Sequence, residues 1–157
     1  MINVLFVDED NGSRSRMAAA FLSKYGASKF NAFSAGVKAG YRNAYAEEVM
    51  QEIKMNIAFE PAKDVLHFSR FEETMHYVIV LCNDHELKHC EVFPSALVRL
   101  HWMFENPVRF EGTDQYIIDQ YRKQRDLIQK VVKRFIKELQ DGRSHLIEHL
   151  NFEPAIR

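Results

Sequence analysis

The chain has 157 residues, of which 46% are hydrophobic and 27% charged, a composition that suits one compact globular domain. Lys and Arg total 21 against 22 for Asp and Glu, a net charge of -1. No global basic field therefore exists to grip a nucleic-acid backbone or an anionic membrane. The N-terminal apolar run is short and soon meets Asp8, and no 18-residue apolar stretch follows, so the expected location is the cytoplasm. Cys82 and Cys90 are too few for a disulfide scaffold and lack the spacing of a zinc site.

In chain order, Asn3–Val7 is a continuous β-branched and apolar run, as in a strand covered on both faces of a parallel sheet. An acidic loop follows from Asp8 to Ser13. From Arg14 the apolar residues Met17, Ala18, Phe21, Leu22 and Tyr25 recur at three and four, predicting a helix that ends at a C-cap glycine, Gly26. Phe30–Ala35 reads as a second strand, Ala44–Met55 as a second helix, Tyr77–Leu81 as a third strand and Val98–Trp102 as a weaker fourth. A long amphipathic repeat from Tyr116 to Leu139 closes at Asp141-Gly142. Strands alternating with helices imply an α/β fold with a four-stranded parallel sheet flanked by helices in three layers. Residues 1–142 form the domain, and 143–157 read as a C-terminal extension with no role legible in it.

In an open parallel sheet, ligands bind where strands end and helices begin. The loop of Asp8, Glu9, Asp10, Asn11, Gly12, Ser13, Arg14 and Ser15 stands at that place. Its amides and the helix dipole favour an anion, and the Arg14 fork fits a tetrahedral oxyanion. Three carboxylates in the same loop oppose a phosphate dianion, so the loop reads as an anion cradle whose occupant is already supplied. On this reading the Asp8 carboxylate fills the cradle, accepts from loop amides, pairs with Arg14 and has a depressed pKa.

The run Val-Leu-Phe-Val-Asp8-Glu-Asp-Asn11-Gly-Ser-Arg14-Ser15-Arg-Met17-Ala18 resembles the opening of the low-molecular-weight protein tyrosine phosphatases and the thioredoxin-coupled arsenate reductases. Their loop runs Cys-x-x-Asn-x-x-Arg-Ser. The likeness continues through Phe33-Ser34-Ala35-Gly36, Tyr77 to Cys82, His101-Trp102-x-Phe104-x-Asn106-Pro107, Glu111-Gly112 and Arg122-x-x-Arg125-Asp126, with the His-Trp-x-Phe element leaning toward the reductases. The resemblance implies that Asn11, Arg14 and Ser15 keep the binding roles of the loop. It places the nucleophilic cysteine at Asp8 and the general acid, an Asp before Pro in the family, at Asn106. Carboxylate is a poorer nucleophile than thiolate toward a phosphate ester, and an amide has no proton of suitable pKa to give. The reductases also use a Glu after the Met-Ala pair to help hold a cation, where this chain has Ala19.

The resemblance further places Cys82 and Cys90 at the second and third redox cysteines of the reductases, with thioredoxin as a partner only if that pair is redox-active. Two readings follow. One is a degenerate pseudophosphatase that binds or regulates, with a protein partner of unknown identity and no cofactor or metal. The other is an active phosphatase or reductase working through Asp8 or the Cys82/Cys90 pair. Asp8-Glu9-Asp10 also matches the Asp-x-Asp of haloacid-dehalogenase-type phosphatases. His85, Glu86 and His89 can be read as metal ligands or, more simply, as a polar loop; His101 and Trp102 as structural; and Arg122, Lys123, Arg125 and Asp126 as a solvated face, although the resemblance implies an Arg-Asp pair here that braces the fold.

Overall fold

A computed structural model describes residues 1–70, 74–83 and 94–147. Four strands, β1 (Ile2–Asp8), β2 (Phe30–Gly36), β3 (Met75–Val80) and β4 (Ala96–His101), form one parallel sheet in the order β2-β1-β3-β4. The helices are α1 (Arg14–Tyr25), α2 (Ala44–Glu52), α3 (Leu66–Ser69), α4 (Asp114–Gln140) and α5 (Ser144–Ile147). The predicted three-layer α/β architecture is the one observed.

β1 is apolar without alternation because it is a central strand with both faces covered. Val4 and Phe6 enter the larger core with Met17, Phe21, Trp102 and Phe135, while Leu5 and Val7 enter a smaller one with Val65, Phe68, Val78 and Cys82. The aromatic contacts Phe6–Trp102, at 5.9 Å between centroids, and Trp102–Phe135, at 5.6 Å, tie the sheet to α4.

Some details of the predicted elements differ. α2 stops at Glu52 rather than Met55, because Lys54 adopts a left-handed backbone (φ 60) and the Met55 amide turns back to the Met50 carbonyl. β4 runs Ala96–His101, its register with β3 beginning at the Met75 to Ala96 pair. Gly26 does cap α1, donating to the Leu22 carbonyl at 2.8 Å, but with a right-handed backbone (φ -82). Its glycine is required by space, since a Cβ would stand 2.6 Å from Phe30 Cδ2 and 2.7 Å from the Leu22 carbonyl. The left-handed step falls one residue later, at Ala27 (φ 50).

Arg125 departs from the solvated-face reading. It is 8% exposed and spans the gap from α4 to α2, donating to the Val49 carbonyl at 2.8 Å and to Glu52 Oε2 at 2.9 Å. Arg122 grips the same carboxylate, holding Glu52 below its ordinary range. Arg125→Leu leaves the Val49 carbonyl and Glu52 without this donor. We expect a loss of about 2–3 kcal/mol of unfolding free energy, read by urea denaturation, with Arg122→Leu costing less because its partners are exposed.

Candidate anion cradle

β1 ends at Asp8 and α1 begins at Arg14, so the intervening loop lies against a helix N-terminus at the carboxyl edge of the sheet. Its main chain is fixed from outside. The carbonyls of Asp8, Glu9 and Asp10 accept from the amides of Val37, Lys38 and Gly40 at 2.9, 3.1 and 2.9 Å. Gly36 lets these segments meet: a Cβ there would lie 2.6 Å from the Asn11 amide nitrogen.

Asp8 is fully buried at the centre of the loop. Its Oδ1 accepts from the Asn11 amide at 2.6 Å and its Oδ2 from the Ser15 amide at 2.8 Å. Asn11 carries the left-handed backbone of the turn (φ 57), and its side chain donates to Ser15 Oγ at 2.9 Å and accepts from the Lys63 amide at 3.0 Å. Asp10 Oδ1 receives the Gly12 amide at 2.9 Å. Ser13, the N-cap of α1, makes no side-chain capping bond, and its buried Oγ has no hydrogen-bond partner among the described residues.

Arg14 is buried, with Nη1 donating to the carbonyls of Leu81 at 3.2 Å and Phe104 at 2.9 Å. Its positive charge draws the Asp8 pKa down, as do the two amides. Burial is the larger effect, and the Asp8 pKa lies above the ordinary carboxylate value of 3.8. The predicted depression is thus reversed: the loop supplies partners, but its removal from water outweighs them.

The general-acid position is occupied by a different bond. Asn106 is buried and donates from Nδ2 to Glu9 Oε2 at 2.5 Å, while its Oδ1 accepts from the Val108 amide at 3.2 Å. Glu9, one of the three carboxylates of the loop, is the partner that suits an amide at position 106.

Arg16 was not singled out by sequence reasoning, yet it is 7% exposed and clamps the back of the loop. Its Nε donates to the Asn11 carbonyl at 2.6 Å, and its Nη1 to the carbonyls of Ile57 and Glu60 at 2.9 and 2.7 Å. The available signal was a charged residue directly before the apolar Met17-Ala18 of α1. Arg16 and Ala19 line the same surface groove, so a guanidinium supplies positive charge close to the position where the resemblance predicts a cation-holding Glu.

Cys82 is buried beyond the end of β3, its carbonyl 2.5 Å from His101 Nε2. Cys90, His85, Glu86 and His89 lie outside the described residues. Among the described residues no group of three His, Cys, Asp or Glu side chains is placed to hold a metal ion, and no helix is long and apolar enough to cross a membrane.

A four-stranded parallel sheet of this order flanked by helices is the fold of the low-molecular-weight phosphatases. A family model described as low molecular weight phosphotyrosine protein phosphatase matches residues 3–151, and the chain belongs to that family. It is 33% identical over 132 residues to an arsenate reductase of Halalkalibacterium halodurans, covering 84% of this chain and 93% of the relative. An arsenate reductase of Bacillus subtilis is 29% identical over the same length. Among solved structures, an arsenate reductase in the oxidized state matches with a TM-score of 0.72 at 23% identity, over 88% of this chain and 99% of the other. The tyrosine phosphatase Wzb from Escherichia coli K30, in complex with sulphate, matches at 0.71 with 17% identity over the same shares, establishing likeness of fold.

The raised Asp8 pKa has a definite consequence for stability. Below pH 3.8 the carboxyl is protonated in both folded and unfolded chains; above it the unfolded chain gives up the proton first. The folded state then binds more protons, so Asp8's contribution falls with rising pH until its folded pKa is passed. Stability of wild type relative to Asp8→Ser should therefore decline from about pH 4 upward, by no more than about 1.4 kcal/mol per pH unit. Thermal melts of both proteins across pH 3.5 to about 7 measure it.

Proposed function

We propose that this chain is a catalytically silent member of its family that works by binding and not by turnover. The observation that carries the reading is the Asp8 carboxylate, whose two oxygens take the Asn11 and Ser15 amides at the centre of the loop. Amides that would hold an oxyanion already hold oxygen atoms of the protein itself. When Asp8 is ionised, charge adds to occupancy: two unit charges about 4 Å apart repel by about 4 kcal/mol at an effective dielectric near 20.

Both chemical roles support the same reading. Hydrolysis through the loop requires a nucleophile that displaces the leaving group and an acid that protonates it. Asp8 is held on two amides, which lowers the reactivity of its lone pairs. Asn106 spends its N–H on Glu9 and cannot deliver a proton at neutral pH. Reduction of arsenate through the cysteines is disfavoured in this state by the complete burial of Cys82.

Wild-type protein is expected to show no turnover of para-nitrophenyl phosphate or arsenate above a buffer control. Asp8→Cys should bring slow phosphatase activity, and Asp8→Cys with Asn106→Asp should exceed it, because the new carboxyl beside Glu9 shares a proton with it and is held protonated. In the same preparations about 10 mM phosphate should raise the melting temperature of Asp8→Ser and leave wild type unmoved. Turnover by wild type that is lost in Asp8→Ala, or a phosphate-induced rise in its melting temperature, would refute the reading.

A further inference from the structure

The outer edge of the sheet offers a surface independent of the cradle. β2 is an edge strand, and among the described residues its outer side is met by a single parallel bridge, Gly36 to Asp64. There the Gly36 amide donates to the Lys63 carbonyl at 2.8 Å, and its carbonyl accepts from the Val65 amide at 2.9 Å. Main-chain groups facing one side of a strand recur at every second residue. The N–H and C=O of Ala32 and Ser34 therefore face outward with those of Gly36, while Val37, in the other phase, donates to Asp8 of β1. No main-chain hydrogen bond outside the regular elements reaches Ala32 or Ser34 among the described residues.

Such edges are ordinarily blunted by charges, prolines or bulges. β2 reads Phe-Asn-Ala-Phe-Ser-Ala-Gly, without charge or proline, and runs in unbroken register along β1. This edge opens into a groove of about 590 Å³. α1 contributes the small residues Ala19 and Ala20 together with the exposed cation Lys24, and Phe59, 73% exposed, adds an apolar surface, while the Arg16 guanidinium is buried and spent on the Asn11, Ile57 and Glu60 carbonyls. Lys63 and Glu60 pair on the rim, so cations exceed carboxylates.

We propose that this groove is a strand-addition site, which takes an extended segment of a partner protein whose apolar and acidic side chains alternate. The segment would lie beside Phe30–Ala35, exchange hydrogen bonds with Ala32 and Ser34, and continue the pairing that the chain's own residues begin at Gly36. Successive side chains of an added strand point to opposite faces, so acids on one face would meet Lys24 of α1 and apolar groups on the other would lie on the side of the sheet where Phe33 packs against Phe68. A second copy of this chain fits less well, because edge-to-edge pairing would bring Lys24 and Lys63 of each copy toward those of the other.

The probe is a fluorescein-labelled peptide of about eight residues alternating valine and glutamate, long enough to span β2, titrated with the full chain by fluorescence anisotropy. Binding is expected, with perturbed and exchange-protected Ala32 and Ser34 amides in NMR spectra. Lys24→Glu, an exposed helix substitution, should weaken it by about tenfold, and a valine–lysine peptide should bind more weakly still. A peptide N-methylated at alternate residues loses the edge hydrogen bonds and should not bind. The proposal is overturned by absence of binding at millimolar peptide, by equal binding of the N-methylated peptide, or by perturbations confined to the Asp8–Ser15 loop. Sedimentation showing that the chain alone dimerises through β2 would overturn it equally.

Discussion

The loop between β1 and α1 is organised around a buried hydrogen-bond acceptor, and in this chain that acceptor is the Asp8 carboxyl group. Amides of Asn11 and Ser15 converge on it, and Arg14 lends its charge from the first turn of α1. The end of β1, the left-handed turn at Asn11 and the start of α1 all take their positions from these bonds. Convergent amides and a helix N-terminus are themselves a costly arrangement unless an acceptor satisfies them. A carboxylate in the chain provides that acceptor permanently, where a thiolate with a bound oxyanion provides it in the family's catalytic pattern.

A permanent occupant carries the cost of its own burial. The amides and Arg14 favour the charged form, but complete burial disfavours it by more, and the balance moves the Asp8 pKa upward. The same loop carries a second adjustment, in which Glu9 accepts from the Asn106 amide. A carboxyl at position 106 would face Glu9 as a like charge whenever both were ionised. Amide at 106 and carboxylate at 9 are therefore complementary, and the two departures from the family pattern support one another.

Much of this was legible in the sequence because it depends on local pattern. The unbroken apolar run of β1 announces a strand buried on both faces, and the spacing of Met17, Phe21 and Leu22 announces α1. The loop's position and the residues at Asn11, Arg14 and Ser15 follow from order along the chain. What could not be read depends on distance across the fold. Arg16 meets Ile57 and Glu60 more than 40 positions away, Asn106 meets Glu9 at a separation of 97, and Arg125 reaches Val49 at 76. The direction of the Asp8 shift needed the extent of burial, which no count of neighbouring donors supplies. Gly26 illustrates a subtler point: its place as the C-cap was legible, but the closeness of the Phe30 ring and the Leu22 carbonyl that requires a glycine there was not.

These observations separate two properties that a catalytic loop ordinarily combines. Holding the loop requires an acceptor at position 8, the Asn11 side chain between Ser15 and Lys63, and cationic anchors at Arg14 and Arg16. Chemistry requires in addition an open seat for the oxyanion and an acid that can release a proton. The first set is complete here, and on the proposed reading its bonds engage Asp8 and Asn106, where the second would act. Replacing a thiolate by a neutral residue would have left the amides of Asn11 and Ser15 unsatisfied in a buried site, at about 1–3 kcal/mol for each. An aspartate keeps both bonded, so the loop holds its geometry through an acceptor that the chain itself supplies.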